Sequence, residues 1–231
     1  MNKTAIEWCD YTVNPVKGLC PVACPYCYAR RMYKRYHWNE TVRFDPEVLI
    51  SNKAFEQYRS HPRVFVGSTF ELFGPWVDDD WLFEIFSLIE NMPATFIFLT
   101  KQPQNLAKWS PFPRNCHIGI SVTNAQQYRE ANNYINSFEA QVKFISFEPL
   151  LGIMPNEGLI NHVQWLIVGQ QTPVSTKTAP EIEWVKEIVE AADNAKIPVF
   201  MKNNLEPLIN INILWPWAYD GKGNLRQEYP V

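Results

Sequence analysis

Apolar residues along this chain gather in short β-rich runs that alternate with stretches of helical spacing. Such alternation predicts repeated βα units around a parallel sheet. Strands are expected near Ala5 to Trp8 and over Arg63 to Thr69, Thr95 to Thr100 and His117 to Thr123. Three more are expected over Val142 to Phe147, Gln164 to Gly169 and Pro198 to Met201. Between them, Tyr28 to His37 reads as a helix. Asp45-Pro46 supplies a cap and a first-turn proline for another, with Val48, Phe55 and Tyr58 on one face. Asp78 to Asp80 cap a helix carrying Leu82, Ile85, Phe86 and Ile89 at helical spacing. Asn124 caps one using Tyr128, Ala131, Ile135 and Phe138, and Pro180 opens a long one through Ile182, Val185, Ile188 and Ala192.

The pattern predicts an α/β fold, a partial (β/α) barrel with about six to seven parallel strands, short of the eight of a regular closed barrel. The barrel is expected over residues 1–204. Residues 205–231 form a tail rich in proline and tryptophan, whose Asp220-Gly221 and Gly223-Asn224 predict a hairpin or a turn-rich flap packed on the same domain. Parallel α/β folds collect their functional groups at the carboxyl ends of strands. Those ends here offer Ser68, Thr69 and Glu71, then Thr100 and Lys101, then Ser121 and Thr123. Ser146 and Glu148, Gln170 and Gln171, and Lys202 and Asn203 complete the set. Any one of them reads equally well as a solvated boundary; together they fit a polar cavity.

Composition narrows the classes. With 46% hydrophobic residues, 231 residues suffice for one substantial core. The formal net charge of -3 supplies no global basic field. No apolar run follows a basic segment at the N-terminus and none approaches the ~20 residues of a membrane span, so a cytoplasmic protein without a membrane partner is expected. Thiols stay reduced there, and the 5 cysteines are an odd number, so metal binding or catalysis is favoured over disulfides.

Three of those cysteines share one short loop. Cys20, Cys24 and Cys27 are spaced C-x3-C-x2-C just before a predicted helix. Structural zinc usually takes four ligands in two separated pairs. An iron–sulfur cluster held by three cysteines leaves one iron open to another ligand. A zinc or structural site, completed by Cys9, is the plainer alternative.

This loop, with Tyr26 before its last cysteine, resembles the cluster loop of radical S-adenosylmethionine enzymes. The resemblance implies a [4Fe–4S] cluster on Cys20, Cys24 and Cys27, with S-adenosylmethionine chelating the open iron. It implies reductive cleavage of that cofactor to a 5′-deoxyadenosyl radical, which abstracts hydrogen from a substrate. A flavodoxin- or ferredoxin-like protein would supply the electron. Further stretches resemble a phage- and prokaryote-associated radical-SAM-like family of uncharacterised function. They are Glu7-Trp8-x-Asp10-Tyr11-Thr12-x-Asn14-Pro15, Cys27-Tyr28-Ala29, Phe65-Val66-Gly67-Ser68, Leu99-Thr100-Lys101, Ser146-x-Glu148-Pro149-Leu150, Val168-Gly169 and Lys202. Two stretches depart from that family. Gly169-Gln170-Gln171-Thr172-Pro173 stands where a Gly-Gly-Glu-Ser-Gly run is common, and Lys202-Asn203-Asn204-Leu205 where Lys-Gln-Trp-Gly is.

Roles follow from the resemblance. Tyr26 is expected near the adenine, Ser68 and Glu71 at the methionyl amino group, Ser121 and Thr123 at the ribose, and Gln170 within the cofactor set. Glu148 is expected at the ribose or the substrate. Lys101 and Lys202 are expected to meet the cofactor carboxylate or an anionic substrate, which makes Lys101, Glu148 and Lys202 the catalytic candidates. The plainer reading of each lysine is a surface ion pair. Cys9 and Cys116 read as packing thiols, although Cys9 lies near enough to the loop to be a hydrogen donor. His37, His61, His117 and His162 lack ligand spacing and read as structural or solvated.

The helix from Arg30 to Trp38 interleaves cations with aromatics, as nucleic-acid surfaces do, so a nucleic-acid or nucleotide substrate is carried alongside a plainly solvated basic helix. The competing function is a non-catalytic metal- or Fe–S-binding module on the same fold.

Overall fold

The computed structural model describes residues 1–50, 61–155, 158–209 and 215–230. Its strands are β1 (Asn2–Lys3), β2 (Tyr11–Val13), β3 (Val16–Lys17), β4 (Arg43–Phe44), β5 (Arg63–Val66), β6 (Thr95–Thr100), β7 (Cys116–Ser121), β8 (Val142–Phe147), β9 (Trp165–Val168) and β10 (Val199–Met201). Its α-helices are α1 (Tyr28–Tyr36), α2 (Glu47–Ile50), α3 (Asp79–Ile89), α4 (Ala125–Tyr134) and α5 (Ile182–Ala195). One eight-stranded sheet runs in the order β1-β2-β5-β6-β7-β8-β9-β10, and β3 pairs with β4 apart from it. The sheet is mostly parallel, as in a partial β/α barrel, with β1 antiparallel to β2.

The chain divides into two compact units, residues 1–118 with 139–141, and residues 119–138 with 142–231. In the first, β2, β5 and β6 pair in parallel, with Thr12 opposite Phe65 and Phe65 opposite Ile97. Strand β6 is apolar on both sides because both faces are covered, and Phe96 and Phe98 are fully buried. Helix α3 starts where the Asp78 carboxylate accepts from the Asp80 N–H at 3.0 Å, and Asp79 and Asp80 favour the positive end of its dipole. It buries Leu82, Ile85, Phe86 and Ile89. Phe86 meets Phe98 and Phe112 edge-on or tilted, and Phe73 meets the same two rings. Replacing Phe98 with alanine would cost roughly 3–5 kcal/mol.

The second unit has its own aromatic core. Trp165 packs against Phe144, Phe200 and Tyr229. Asn124 caps α4 by accepting from the Gln127 N–H at 3.0 Å, and α5 turns Val185, Ile188, Val189 and Ala192 inward. The segment after 215 pairs with β10: Met201 N–H donates to Arg226 O at 2.8 Å and Glu228 N–H to Val199 O at 3.0 Å. Arg226 also reaches Asp193 at the end of α5, at 2.8 Å. The turn expected at Asp220 to Asn224 is present, with Asp220 N–H bonded to Asn224 O at 2.8 Å and Tyr219 bridged to Leu225.

The strand expected at Ala5 to Trp8 is not one. Cys9 N–H closes a turn onto Ile6 O, and buried Trp8 packs on Phe65 at 4.8 Å instead of joining the sheet. The first parallel strand is Tyr11–Val13. Helix α2 lies where Asp45-Pro46 predicts a start; Phe55 and Tyr58 lie outside the described residues.

Candidate cluster and cofactor site

The cysteine loop is held from below by the β3–β4 ribbon. Val16 pairs with Phe44 and Lys17 with Arg43, Lys17 forms an ion pair with Asp45, and Leu19 N–H bonds Glu40 O at 2.9 Å. Gly18 makes the ribbon's exit possible. Its φ is +128°, and a Cβ there would stand 2.7 Å from the Val42 Cα. Its N–H donates to the Tyr33 hydroxyl at 2.9 Å, which ties the loop to α1. Ala23 takes the left-handed conformation at φ 54°, turning the chain between Cys20 and Cys24.

Cys27 is the N-cap of α1, its sulfur accepting from the Arg30 N–H at 3.4 Å. The Arg30 guanidinium reaches back to Cys20 O at 2.7 Å. The three cysteines are half-buried and line one small, partly open cavity of about 20 Å³, with Arg30, Tyr33 and Thr69 among its walls. Burial pushes the Cys20 thiol up, while backbone N–H groups of Glu71 and Val22 favour its thiolate. As the side chains stand, no group of three or more His, Cys, Asp or Glu among the described residues is gathered to hold a metal ion. A lone zinc ion would need each sulfur about 2.3 Å away. The three candidate ligands lining this cavity are all thiols, the donor type that iron–sulfur clusters take.

Next to the cysteines, the end of β5 is linked to the ends of β2 and β6. Asn14 Oδ1 accepts from Ser68 Oγ at 3.3 Å and Thr69 N–H at 3.1 Å, while Tyr28 OH donates to Ser68 O at 2.8 Å. Glu71 is buried. It accepts from Phe73 N–H at 3.0 Å, the Thr100 hydroxyl at 2.7 Å and Lys101 N–H at 2.7 Å. Burial raises its carboxyl above the ordinary value, against the pull of those donors. Its Oε2 accepts one of these bonds, so acceptor capacity remains on that oxygen. Tyr26 is half-buried, and its carbonyl accepts from Arg31 at 3.1 Å.

In the second unit Glu148 and Lys202 form an ion pair, largely shielded from solvent. Gly169 underlies it, since a Cβ there would come within 2.9 Å of the Lys202 stem. Gln170 and Asn204 exchange hydrogen bonds, Asn204 Nδ2 donating to Gln170 O at 2.8 Å and Asn204 Oδ1 accepting the Gln170 N–H at 3.2 Å. Thr123 is buried with its hydroxyl donating to Gln127 Oε1 at 2.8 Å, and Ser121, the last residue of β7, is buried two residues before it. Ser146 Oγ and Gln170 Oε1 are buried and make no hydrogen bond. Orphaned buried polar atoms carry a desolvation cost unless a ligand meets them.

Sequence reasoning listed Thr69 but overlooked it as a wall of the cysteine cavity, and it overlooked Arg30, Tyr33 and Asn14 as positioning groups. Arg30 and Tyr33 were detectable, at three and six positions after Cys27 on one helix. Among the described residues, no helix is long and apolar enough to cross a membrane.

The fold is similar to that of a spore photoproduct lyase mutant with bound AdoMet and dinucleoside spore photoproduct, at a TM-score of 0.52 and 12% identity. The match covers 74% of this chain and 58% of that one, so the chain spans little more than half that protein's length. At this identity the likeness speaks for the fold alone. No curated protein matches the chain. A family model described as "Protein of unknown function (DUF5131)" matches residues 3–206, and the chain belongs to that family.

Proposed function

We propose that the protein is a radical S-adenosylmethionine enzyme. The observation that carries this reading is the convergence of Cys20, Cys24 and Cys27 on one cavity, in a fold of that kind. When bound, a [4Fe–4S] cluster supplies one electron, received from a flavodoxin- or ferredoxin-like protein, that cleaves S-adenosylmethionine to a 5′-deoxyadenosyl radical for hydrogen abstraction.

The chain's own residues then bind, orient and exclude water. Cys20, Cys24 and Cys27 hold the cluster, and Arg30 fixes the loop through the Cys20 carbonyl. Glu71, already braced by Thr100 and Lys101, offers its remaining acceptor capacity to the methionyl amino group, with Ser68 beside it and Tyr26 toward the adenine. Ser121, Thr123 and Gln170 serve the cofactor, the first two at its ribose, and Ser146 and Gln170 bring polar atoms that no group among the described residues satisfies. Lys101 and the Glu148–Lys202 pair serve the cofactor carboxylate or the substrate.

Anaerobic reconstitution with iron and sulfide, then dithionite and S-adenosylmethionine, tests this directly. The expected product is 5′-deoxyadenosine, with the brown chromophore lost in Cys24→Ala. Zinc in place of iron, or a chromophore retained in Cys24→Ala, overturns it. The second reading, a non-catalytic Fe–S module, is favoured by one feature: in the loop after Gly169, Gln170 is tied to Asn204 by hydrogen bonds. It predicts a cluster with the cofactor left intact.

A further inference from the structure

We propose that the exposed face of α1, continued through Trp38, docks single-stranded nucleic acid. Helix α1 carries Arg30, Arg31, Lys34 and Arg35 within nine residues and no acidic residue, on a chain whose net charge is -3. Acids three or four positions away would pair with such cations on a helix surface, and α1 supplies none. Here Lys34 and Arg35 are exposed and take no carboxylate among the described residues.

The aromatic groups are what turn a basic helix into a base-stacking surface. Tyr36 is 53% exposed and Trp38 43%, and the two lie side by side. Their rings stack on one another at 5.8 Å and 23°, with the Arg35 guanidinium carbon 5.4 Å over Tyr36. The platform is fixed from below. His37 ends α1 in the left-handed conformation, Trp38 N–H turns back to Tyr33 O at 3.3 Å, and the Trp38 ring meets buried Tyr33 edge-on at 5.3 Å. This is the Schellman ending with its accompanying apolar contact.

A groove of about 460 Å³ is lined by Leu19, Arg30, Arg31, Tyr33, Lys34, His37 and Glu40, so three cations face one carboxylate along it. Arg30 and Tyr33 also line the cysteine cavity, so a strand in the groove passes beside the cysteines. Cations that track a backbone, interleaved with rings that accept base faces, are the two parts of single-strand binding. A duplex hides its base faces, and an acidic protein would satisfy the cations while leaving the paired rings unused. The inference gives the proposed radical chemistry a substrate class and in that respect rests on it. Binding itself needs no cofactor.

The test is fluorescence anisotropy of the reconstituted protein with a labelled oligothymidylate of about 12 nucleotides, between about 50 and 200 mM salt. Wild type should bind saturably. Lys34→Glu with Arg35→Glu should weaken binding at least tenfold and flatten the log–log salt slope by about 1.4. Tyr36→Ala should weaken it about tenfold and leave that slope unchanged. All three side chains are exposed, and circular dichroism melts confirm that each variant folds. The proposal is overturned by no saturable binding below about 100 µM protein, by variants that bind like wild type, or by equal affinity for a duplex of the same length. Capture of an acidic flavodoxin by this face in place of the oligonucleotide also overturns it. Assaying 5′-deoxyadenosine in the same preparations separates the two readings. Cofactor cleavage without oligonucleotide binding sinks this surface alone, whereas binding without cleavage sinks the chemistry alone.

Discussion

The Thr100 hydroxyl donates to Glu71 Oε1 at 2.7 Å and accepts from the Gln102 N–H at 2.8 Å, so one side chain joins the loop after β5 to the loop after β6. Both residues are buried, and valine would match threonine in shape while leaving a carboxylate oxygen and an N–H short of a partner. Thr100→Val is expected to lower stability by about 2 kcal/mol in urea melts with an unchanged m-value, and Thr100→Ser to restore most of it.

His117 carries a pH dependence that is independent of the cysteine site. Burial pushes its imidazole from 6.5 down to about 4. Between those values the unfolded chain binds a proton that the folded chain refuses, so stability is full above pH 6.5 and falls as pH drops toward 4. The loss amounts to roughly 3 kcal/mol at about 1.4 kcal/mol per pKa unit. Melts of wild type and His117→Gln across this range should differ in slope, wild type losing more on acidification; parallel curves would refute the assignment.

Thiol reactivity should divide the cysteines into two sets. Cys116 is fully buried with its thiol pushed up to about 12, and Cys9 is 5% exposed, while Cys20, Cys24 and Cys27 are half-open. Cluster-free folded protein at pH 8 should react with a disulfide reagent at the more accessible loop cysteines first, and at Cys9 and Cys116 only after denaturation. Peptide mapping of the labelled sites checks the division.

Gly119 lies against the Phe144 ring, where an added Cβ would come within 2.2 Å. Gly119→Ala should cost about 1–3 kcal/mol through overpacking. The double variant with Phe144→Leu should be more stable than the sum of the two single losses, the sign of a direct steric coupling. Additive losses would show that the backbone moves instead.

Much of the fold was legible in the sequence where one signal sufficed. The unbroken apolar run of β6 and the Asp78 cap ahead of Leu82, Ile85, Phe86 and Ile89 are local, and each element lies where those residues predict. The β3–β4 ribbon has two residues per strand, too few for any period, and exists only through pairing between distant segments. Trp8 misled for a related reason: a strong strand former was drawn into packing on Phe65. At the candidate site, the spacing of Cys20, Cys24 and Cys27 anticipated their shared cavity because they are neighbours in sequence. The three donors on Glu71 come from a backbone N–H two residues on and from a strand-end across the sheet, and no spacing encodes that.

The pairing of residues 226–228 with β10 bears on how the chain is made. Until those residues leave the ribosome, the outer edge of β10 stands open, with Val199 and Met201 N–H groups unmatched. An open edge during synthesis invites pairing with neighbouring nascent chains. The Arg226 carbonyl and the Glu228 carboxylate meet those N–H groups, and the Arg226 side chain, 2.8 Å from both Asp193 and Glu228, pins the segment in place, so conditions that stall translation before it should yield aggregates.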